Sequence, residues 1–324
     1  MFPQLELDNI KTIPIANRKS KVTVNDFAKV FSPSGQSFSD FIDSMPDILC
    51  AKDLKHIASQ IALFHKNHFP CIWMIGAHVI KVGLSPVIID LIDRGIITAV
   101  AMNSAAAIHD AETALFGMTS EDVAVNLQDG SFGMSRETGE FINNTLSDSF
   151  AHDKCGYAEA LGNKIIEVKA PNESVSVLAA CVRKNIPASV HVAIGTDIVH
   201  QQPTMNGAAT GELSYRDFKV LCSSVKDLQG GGTVLNIGSA VLLPEVFLKV
   251  LTVVRNLGYA ANGFMTANFD MIQHYRARVN VVQRPTQHGG EGFQITGHHE
   301  IMIPLLAAMI KRCISLTQVD VSNE

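Results

Sequence analysis

Short apolar runs alternate with longer amphipathic segments along most of this chain. The short runs are rich in β-branched residues, as buried strands are, whereas the longer segments repeat apolar residues about every three to four positions, as helices do. Strands are predicted at residues 71–76, 97–103, 187–195, 233–238 and 261–267. Helices are predicted at residues 51–65, 86–94, 105–116, 174–184, 215–228, 244–257 and 301–313. This alternation predicts an α/β fold, a doubly wound and Rossmann-like parallel sheet with helices on both faces.

Two stretches fall outside the alternation. Residues 1–45 are polar and rich in turns, which predicts an N-terminal arm or lead-in. No boundary signal follows, so residues 46–324 are predicted to form a single domain. Residues 119–154 are irregular and predict an insertion or a loop region that faces the site. Within it, Ser135 and Thr138 are candidate caps for a helix start, and Arg136 is an alternative anion clamp.

Composition narrows the classes of binding partner and the cellular compartment that we expect. The 324 residues are 47% apolar with a net charge of -5, and no concentrated basic stretch predicts nucleic-acid binding. The apolar runs fall short of the roughly 20 residues of a membrane-spanning helix, and the first residues do not resemble a signal peptide. The six cysteines are scattered without a CxxC pair, which indicates reduced thiols. We therefore expect a cytoplasmic protein that binds neither membranes nor nucleic acid.

Small and polar residues follow the predicted strands directly. Ligands of open parallel sheets bind beyond the carboxyl ends of the strands, and small residues allow a ligand to approach the backbone. This rule selects candidate cofactor-binding residues at five strand ends: Gly76, Ala77 and His78; Asn103, Ser104, Ala105 and Asp110; Thr196 and Asp197; Gly238 and Ser239; Thr266 and Ala267. No GxGxxG or GxxxxGK[ST] motif is present, so neither an ordinary Rossmann dehydrogenase nor a P-loop enzyme is predicted.

Histidines and carboxylates gather at the same predicted edge. The set is His78, His109, Asp110, Asp197, His200, His298, His299 and Glu300. A neutral imidazole beside a carboxylate is a general base near neutral pH, so His109, Asp110 and His200 are the candidate catalytic residues. Metal binding by His191, Asp197, His200 and Glu300 is an alternative, but a strand separates His191 from Asp197, and we predict no metal site.

The order of these motifs resembles that of the deoxyhypusine synthase family over residues 50–313. MNSAAAIHDAE (102–112) is similar to its TTAGGxxxD motif, ANGFMTANFD (261–270) to its strand ending in Thr-Ala, and ITGHHEIMIPLLAAMI (295–310) to its closing strand and helix. The resemblance implies an NAD/FAD-binding Rossmann-type fold, transferase or NAD-dependent activity, and a homotetramer. It also places Asp197 at the nicotinamide cofactor and His298 where the family has a ribose-binding aspartate.

Several departures from the family concern its chemistry. The family captures its substrate on a lysine, and this chain has no lysine between Lys249 and Lys311. Arg284 cannot replace that lysine, because a guanidinium stays protonated and is not a nucleophile. Arg276 and Arg278 stand where the family grips a polyamine with acids. The family's motif glycines are also replaced by Ala106 and Ala107, which would crowd a dinucleotide.

Three hypotheses follow for function. The first is an enzyme that binds NAD or a related nucleotide, lacks the covalent lysine and uses His109 or His200 as a base. The second is a non-catalytic ligand-binding or structural homologue. The third is a metal-dependent hydrolase that uses the His/Asp cluster. All three involve a small-molecule ligand or an empty crevice in a homo-oligomer, and the sequence leaves substrate, reaction and catalytic competence open.

Overall fold

The computed structural model describes residues 2–321 and divides into two compact units, Met1–Lys52 and Asp53–Glu324. The first unit has little regular structure besides helix α1 (Phe38–Ser44) and two short 3-10 turns. Helix α1 begins with a capping box, because Ser37 accepts from the Asp40 amide and the Asp40 carboxylate accepts from the Ser37 amide at 2.7 Å. Most side chains of the first thirty residues are exposed.

The second unit contains a six-stranded sheet among the described residues, in the order β3-β2-β1-β4-β5-β6. The strands are β1 (Cys71–Ile75), β2 (Ala99–Asn103), β3 (Ala188–His191), β4 (Thr233–Ile237), β5 (Met265–Asp270) and β6 (Glu291–Thr296). All neighbouring strands pair in parallel. This is the strand order of doubly wound dinucleotide-binding folds, and it confirms the predicted fold class.

Helices connect the strands. They are α2 (Leu49–Lys66), α3 (Ala77–Lys81), α4 (Ser85–Asp93), α5 (Ser104–Phe116), α6 (Val123–Asn126), α7 (Arg136–His152), α8 (Tyr157–Glu167), α9 (Val177–Arg183), α10 (Gly207–Val225), α11 (Leu242–Asn256), α12 (Tyr275–Ala277) and α13 (His299–Val321). A short π-helix, Arg278–Gln283, follows α12 directly. None of the helices in the described residues is long and apolar enough to cross a membrane.

Helices α10 and α11 cover one face of the sheet. Phe247 of α11 and Leu221 of α10 lie in one buried cluster with Met74 of β1 and Val234 of β4. Burying a side chain such as Phe247 contributes about 1.5–3 kcal/mol. The continuous apolar sequence of β1 and the largely apolar sequence of β4 follow from this packing, since every residue of both strands is buried.

The outer edge of β3 is covered by side chains of α10. Val190 donates its amide to Asp217 Oδ2 at 2.6 Å and accepts from the Ser214 hydroxyl at 3.0 Å. The same Asp217 oxygen accepts from the Ala158 amide at 2.9 Å, near the start of α8. Gly156 precedes α8, and a Cβ there would lie 1.7 Å from Asp217 Oδ1. The Asp217 carboxylate therefore accepts hydrogen bonds both at the outer edge of the sheet, from β3, and at the start of helix α8.

The structure corrects four predicted element bounds. The irregular region 119–154 contains the 17-residue helix α7, whose buried face includes polar residues such as Asn143 and Ser149 that interrupt the apolar pattern. Helix α10 begins at Gly207, eight residues before the predicted start, because Asn206 caps a glycine-containing first turn. Strand β3 ends at His191 and not near 195. Strand β5 occupies 265–270 and not 261–267.

Candidate functional site

The predicted site residues separate into two places at the carboxyl edge of the sheet. One set follows β1 and β4, and the other follows β2 and β3. Thr266 and Ala267 belong to neither, because they lie inside β5, fully buried and paired in register with Val234 and Leu235. The predicted strand end at these two residues was wrong, since β5 continues to Asp270.

The ends of β1 and β4 are in backbone contact. The Gly76 amide donates to the Ile237 carbonyl at 2.8 Å, and a Cβ on Gly76 would lie 2.0 Å from the Gly238 carbonyl oxygen. Buried His299 lies against Gly238 and donates from Nε2 to the Phe269 carbonyl at 3.1 Å. Protein atoms therefore fill the space above Gly238, where a Rossmann ligand would approach the backbone.

The other predicted residues near β1 and β4 have visible structural contacts. Ser239 accepts from the Leu243 amide at 3.2 Å in the first turn of α11. The His78 ring lies 5.6 Å from the His299 ring, and Ala77 begins α3. His298 is exposed, with Nδ1 3.7 Å from a Glu300 oxygen. The structure thus brings His78 and His299 together and leaves His298 on the surface.

The ends of β2 and β3 border a cavity of about 620 Å³. Its size lies within the range of about 300–1,000 Å³ typical of small-molecule sites. Apolar side chains line much of it: Ile108, Phe116, Met118, Val123, Phe132 and Ile198. The predicted residues Ala105, His109, Thr196 and Asp197 also line it. Another cavity, of about 520 Å³, lies along α7 and α8, but none of the predicted residues line that one.

Helix α5 positions the predicted residues that follow β2. Asn103 caps the helix by accepting from the Ala106 amide at 2.9 Å, and Gly117 ends it in the left-handed conformation. Ser104, in the first turn, donates its hydroxyl to Asp197 Oδ2. This contact joins the end of β2 to the loop after β3, so the side chains of both strand ends meet at the cavity.

A chain of hydrogen bonds orients His109. The Thr119 hydroxyl donates to Glu112 Oε2, and His109 Nδ1 lies 2.6 Å from Thr119 Oγ1. The single hydroxyl proton of Thr119 goes to the carboxylate, so His109 Nδ1 must donate to Thr119. Neutral His109 therefore carries its proton on Nδ1 and keeps Nε2 as an acceptor. Such an imidazole, backed by a carboxylate, can accept a proton from a bound ligand.

Glu112 is held as a carboxylate by this network. Thr138 of α7 donates to Glu112 Oε1 at 3.0 Å, and Ser135 lies 3.1 Å from the Thr138 hydroxyl. Burial opposes ionisation, but the nearby His109 ring and the hydrogen bonds from Thr119 and Thr138 outweigh it, and the pKa of Glu112 lies below its ordinary value. Ser135 precedes α7 as predicted, yet its hydroxyl bonds Thr138 and makes no cap hydrogen bond.

His200 has the opposite tautomer. Its Nδ1 accepts from the amides of Gly195 at 3.1 Å and Asp197 at 3.2 Å, so the proton of neutral His200 is on Nε2. That nitrogen lies 3.7 Å from Asp197 Oδ2. Burial raises the pKa of Asp197, although the Ser104 hydroxyl and the two nearby histidines act against it. The structure therefore places the side chains of Asp197 and His200 side by side, at a distance longer than that of a hydrogen bond.

Asp110 is not the partner of His109. It is fully buried on the other side of α5 and accepts from the Ser176 hydroxyl at 2.6 Å and the Val177 amide at 2.7 Å, at the start of α9. Neighbouring residues on a helix do not face one another, whereas residues three apart do. Glu112, three residues after His109, therefore lies beside His109, where the sequence prediction had placed Asp110.

We expect Asp110 to make stability depend on pH. Burial raises its pKa to about 6, against an opposing effect of its hydrogen bonds. A raised carboxyl pKa favours the folded state most below the unfolded pKa of about 3.9, and that contribution is lost as pH rises through about 6, by about 2–3 kcal/mol. Chemical denaturation between pH 4 and 7 should show this loss in the wild type and a flatter profile in Asp110→Asn. Equal slopes would contradict it.

The metal-dependent hydrolase has no ligand set in the described part of the chain, where no three His, Cys, Asp or Glu side chains converge as a metal site would require. His191 is buried beside the Ser189 hydroxyl at 3.0 Å. Burial lowers the pKa of His191 to about 4, which keeps the ring neutral. The geometry therefore gives His191 a structural contact within β3.

Sequence reasoning missed Glu112, Thr119 and Thr138, which form the hydrogen-bond network of this site. Glu112 could have been found, because its spacing of three from His109 puts both on one helix face. Thr119 and Thr138 lie in the region predicted as irregular, and no local pattern connects them to α5. Lys81, at the end of α3, also lines the cavity and was not predicted.

Solved structures of other proteins support the fold described above. No family profile and no curated protein matches the sequence. A candidate LOR/SDH protein from Methanococcus maripaludis S2 superimposes with a TM-score of 0.52 at 16% identity, over 82% of this chain and 71% of that one. A candidate deoxyhypusine synthase from Entamoeba histolytica gives 0.50 at 10% identity, over 87% and 96%. The chain shares the fold of these proteins.

A complex of AgrE with ornithine and NAD⁺ has the same fold, with a TM-score of 0.51 at 14% identity. The match covers 81% of this chain and 33% of AgrE. The fold resemblance predicted from the motif order is therefore confirmed, and the neighbours include an NAD-bound protein. At these identities the likeness concerns architecture.

Proposed function

We propose that this chain binds NAD or a related nucleotide in the cavity at the ends of β2 and β3, and that His109 exchanges a proton with the bound ligand. One observation carries the proposal: His109 lines the cavity, and its hydrogen bond to Thr119, which in turn bonds Glu112, leaves Nε2 as the acceptor nitrogen. Fold likeness to NAD-bound AgrE supports the choice of nucleotide.

The lining of the cavity suits the nicotinamide end of such a ligand. Among the described residues that line it, the charged ones are the carboxylates Glu112, Glu121, Glu137 and Asp197 and the cation Lys81. The imidazole of His109 lines the cavity as well. An oxidised nicotinamide ring is cationic and flat, and fits an acidic, partly apolar cavity. A pyrophosphate would be repelled by the same carboxylates, so its place is toward exposed Lys81. Asp197 suits ribose hydroxyls, which carboxylates hold in dinucleotide-binding folds.

The residues of the chain would then have separate tasks. Bound NAD would supply a hydride acceptor. Ser104 orients Asp197, the apolar side chains exclude water, and His109 holds or takes up a proton at Nε2. Deoxyhypusine synthesis is not proposed, because no lysine occurs between Lys249 and Lys311 to capture a substrate.

NAD is expected to raise the melting temperature of the wild-type chain. At a concentration of 100 times Kd, ligand binding stabilises the folded state by about 2.7 kcal/mol. Asp197→Ala removes the proposed ribose partner, and we expect its affinity for NAD to fall about tenfold or more, which corresponds to about 1.4 kcal/mol. Differential scanning fluorimetry and calorimetric titration measure both effects.

The matched control is Asp153→Ala, whose side chain lines the other cavity. It should bind NAD as the wild type does. AMP and nicotinamide mononucleotide, tested separately, show which half of the ligand is recognised. Absence of protection by all three compounds in the wild type would overturn the proposal.

A ligand-binding protein without catalysis is the second candidate. The missing lysine favours it, and so does the filled space above Gly238, because both depart from the family's chemistry. Under this alternative NAD binds equally to wild type and to His109→Gln, and neither form reduces it. We further propose a cytoplasmic homotetramer, as the family resemblance implies, and light scattering that gives a monomer would contradict the assembly.

A further inference from the structure

Residues 118–132, which we call the roof segment, contribute to the lining of the cavity beside α5. Met118, Val123 and Phe132 of this segment line the cavity, and Met118 is 72% exposed. Left-handed glycines stand at both ends of the segment, Gly117 with φ 69° and Gly133 with φ 74°. Glycine adopts this conformation without strain, so these two residues allow the chain to turn at both ends of the segment.

Few hydrogen bonds hold the roof segment in place. At its far end, the Gln201 side chain donates to the Phe132 carbonyl at 2.7 Å, and Gln202 donates to the Gly133 carbonyl at 2.9 Å. At its near end, the Thr119 hydroxyl contacts Glu112 and His109. Glu112 is also held by Thr138 of α7, outside the roof segment. Thr119 is therefore the residue of the roof segment that connects His109 to Glu112.

The position of Thr119 fixes the protonated nitrogen of His109. His109 Nδ1 and Glu112 Oε2 are 3.6 Å apart, beyond hydrogen-bond distance, and the hydroxyl of Thr119 lies between them. It accepts from His109 and donates to Glu112. Without that hydroxyl, Nδ1 has no acceptor at bonding distance and the proton is free to move to Nε2.

We infer that Thr119 is a positioning residue for His109: the roof segment places its hydroxyl between His109 and Glu112 and thereby keeps Nε2 unprotonated. The value of this arrangement for a reaction rests on the proposed function, whereas the tautomer itself is a property of the free protein.

Nitrogen NMR of the ligand-free protein, with ¹⁵N-labelled histidine rings, tests the inference. The His109 signals are assigned by their loss in His109→Gln. Wild type and Thr119→Ser are expected to show the Nδ1–H form. Thr119→Val has the shape of threonine without the hydroxyl, so its methyl group keeps His109 and Glu112 apart, and the Nε2–H form should predominate. A Thr119→Val spectrum like that of the wild type would overturn the inference.

Hydrogen exchange supplies a second readout. Losing one anchoring hydrogen bond should speed amide exchange in the roof segment about tenfold in Thr119→Val. Thr252→Val, on the exposed side of α11, is the matched control and should change neither readout. Unchanged exchange in Thr119→Val would show that Thr119 does not hold the roof segment. Failure of NAD to bind would leave both results standing and would reject the proposed ligand alone.

Discussion

Replacing Asp217 by alanine is expected to lower the free energy of unfolding by about 3–5 kcal/mol, since each buried N–H left without a partner costs about 1–3 kcal/mol. The amides of Val190 and Ala158 both donate to this carboxylate. Asp217 is 1% exposed, so water cannot replace the lost acceptor. Urea denaturation followed by circular dichroism measures the change.

Two variants make the Asp217 result specific. Asp227→Ala removes an exposed carboxylate shortly after the same helix and should change stability by less than about 0.5 kcal/mol. Asp217→Asn keeps one oxygen acceptor and cannot ionise. Burial raises the pKa of Asp217 to about 8, so its stabilising contribution is full below about pH 4 and is lost as pH rises toward 8. Asp217→Asn should therefore gain stability relative to wild type between pH 5 and 8.

Gly76→Ala is expected to cost about 3 kcal/mol or more, at the upper end for overpacked sites. The new Cβ would lie 2.0 Å from the Gly238 carbonyl oxygen and 2.7 Å from its carbon. Both are backbone atoms of the neighbouring strand end, so no side chain can move aside. The ends of β1 and β4 would have to separate, and the thermal unfolding midpoint should fall accordingly.

Gly211→Ala is the control for this steric argument. Gly211 lies inside α10, in its second turn, and no heavy atom apart from the neighbouring helix backbone lies within 4 Å of a new Cβ. The same substitution should stabilise the helix there by about 0.5–1 kcal/mol. If Gly76→Ala melted like Gly211→Ala, the contact between the two strand ends would not be tight, and the space above Gly238 would be available to a ligand.

The apolar pattern predicts β1 to β5 because these strands are buried on both faces, whereas it gives no strand at β6, most of whose residues are exposed. The apolar run predicted as a strand at 71–76 is an example, because β1 occupies Cys71–Ile75 and every one of its residues is buried. The sequence offered Ser135 as a start for helix α7 but did not predict the helix itself. Its buried face includes Thr138, Asn143 and Ser149, whose hydrogen-bond partners lie outside the helix and leave no periodic apolar signal.

Several of the residues that the sequence selected at the strand ends have structural contacts there. Asp110 caps α9, Ser239 caps α11, and Gly76 packs on Gly238. A residue after a strand supports either the next helix or a ligand, and both tasks select small and polar types. Only the folded structure distinguishes the two tasks. It likewise shows the contact between Glu112 of α5 and Thr119 of the roof segment.

Helix α10 protects the outer edge of β3, and this protection also determines how the protein would aggregate under heat or in mild denaturant. If α10 separates locally, the carbonyl and amide of Val190 lose Ser214 and Asp217 and become a free pairing edge. Such an edge is a template for strands of other molecules. Aggregates formed during partial unfolding should therefore grow from β3, and cross-linking α10 to that strand would suppress them without changing the native sheet.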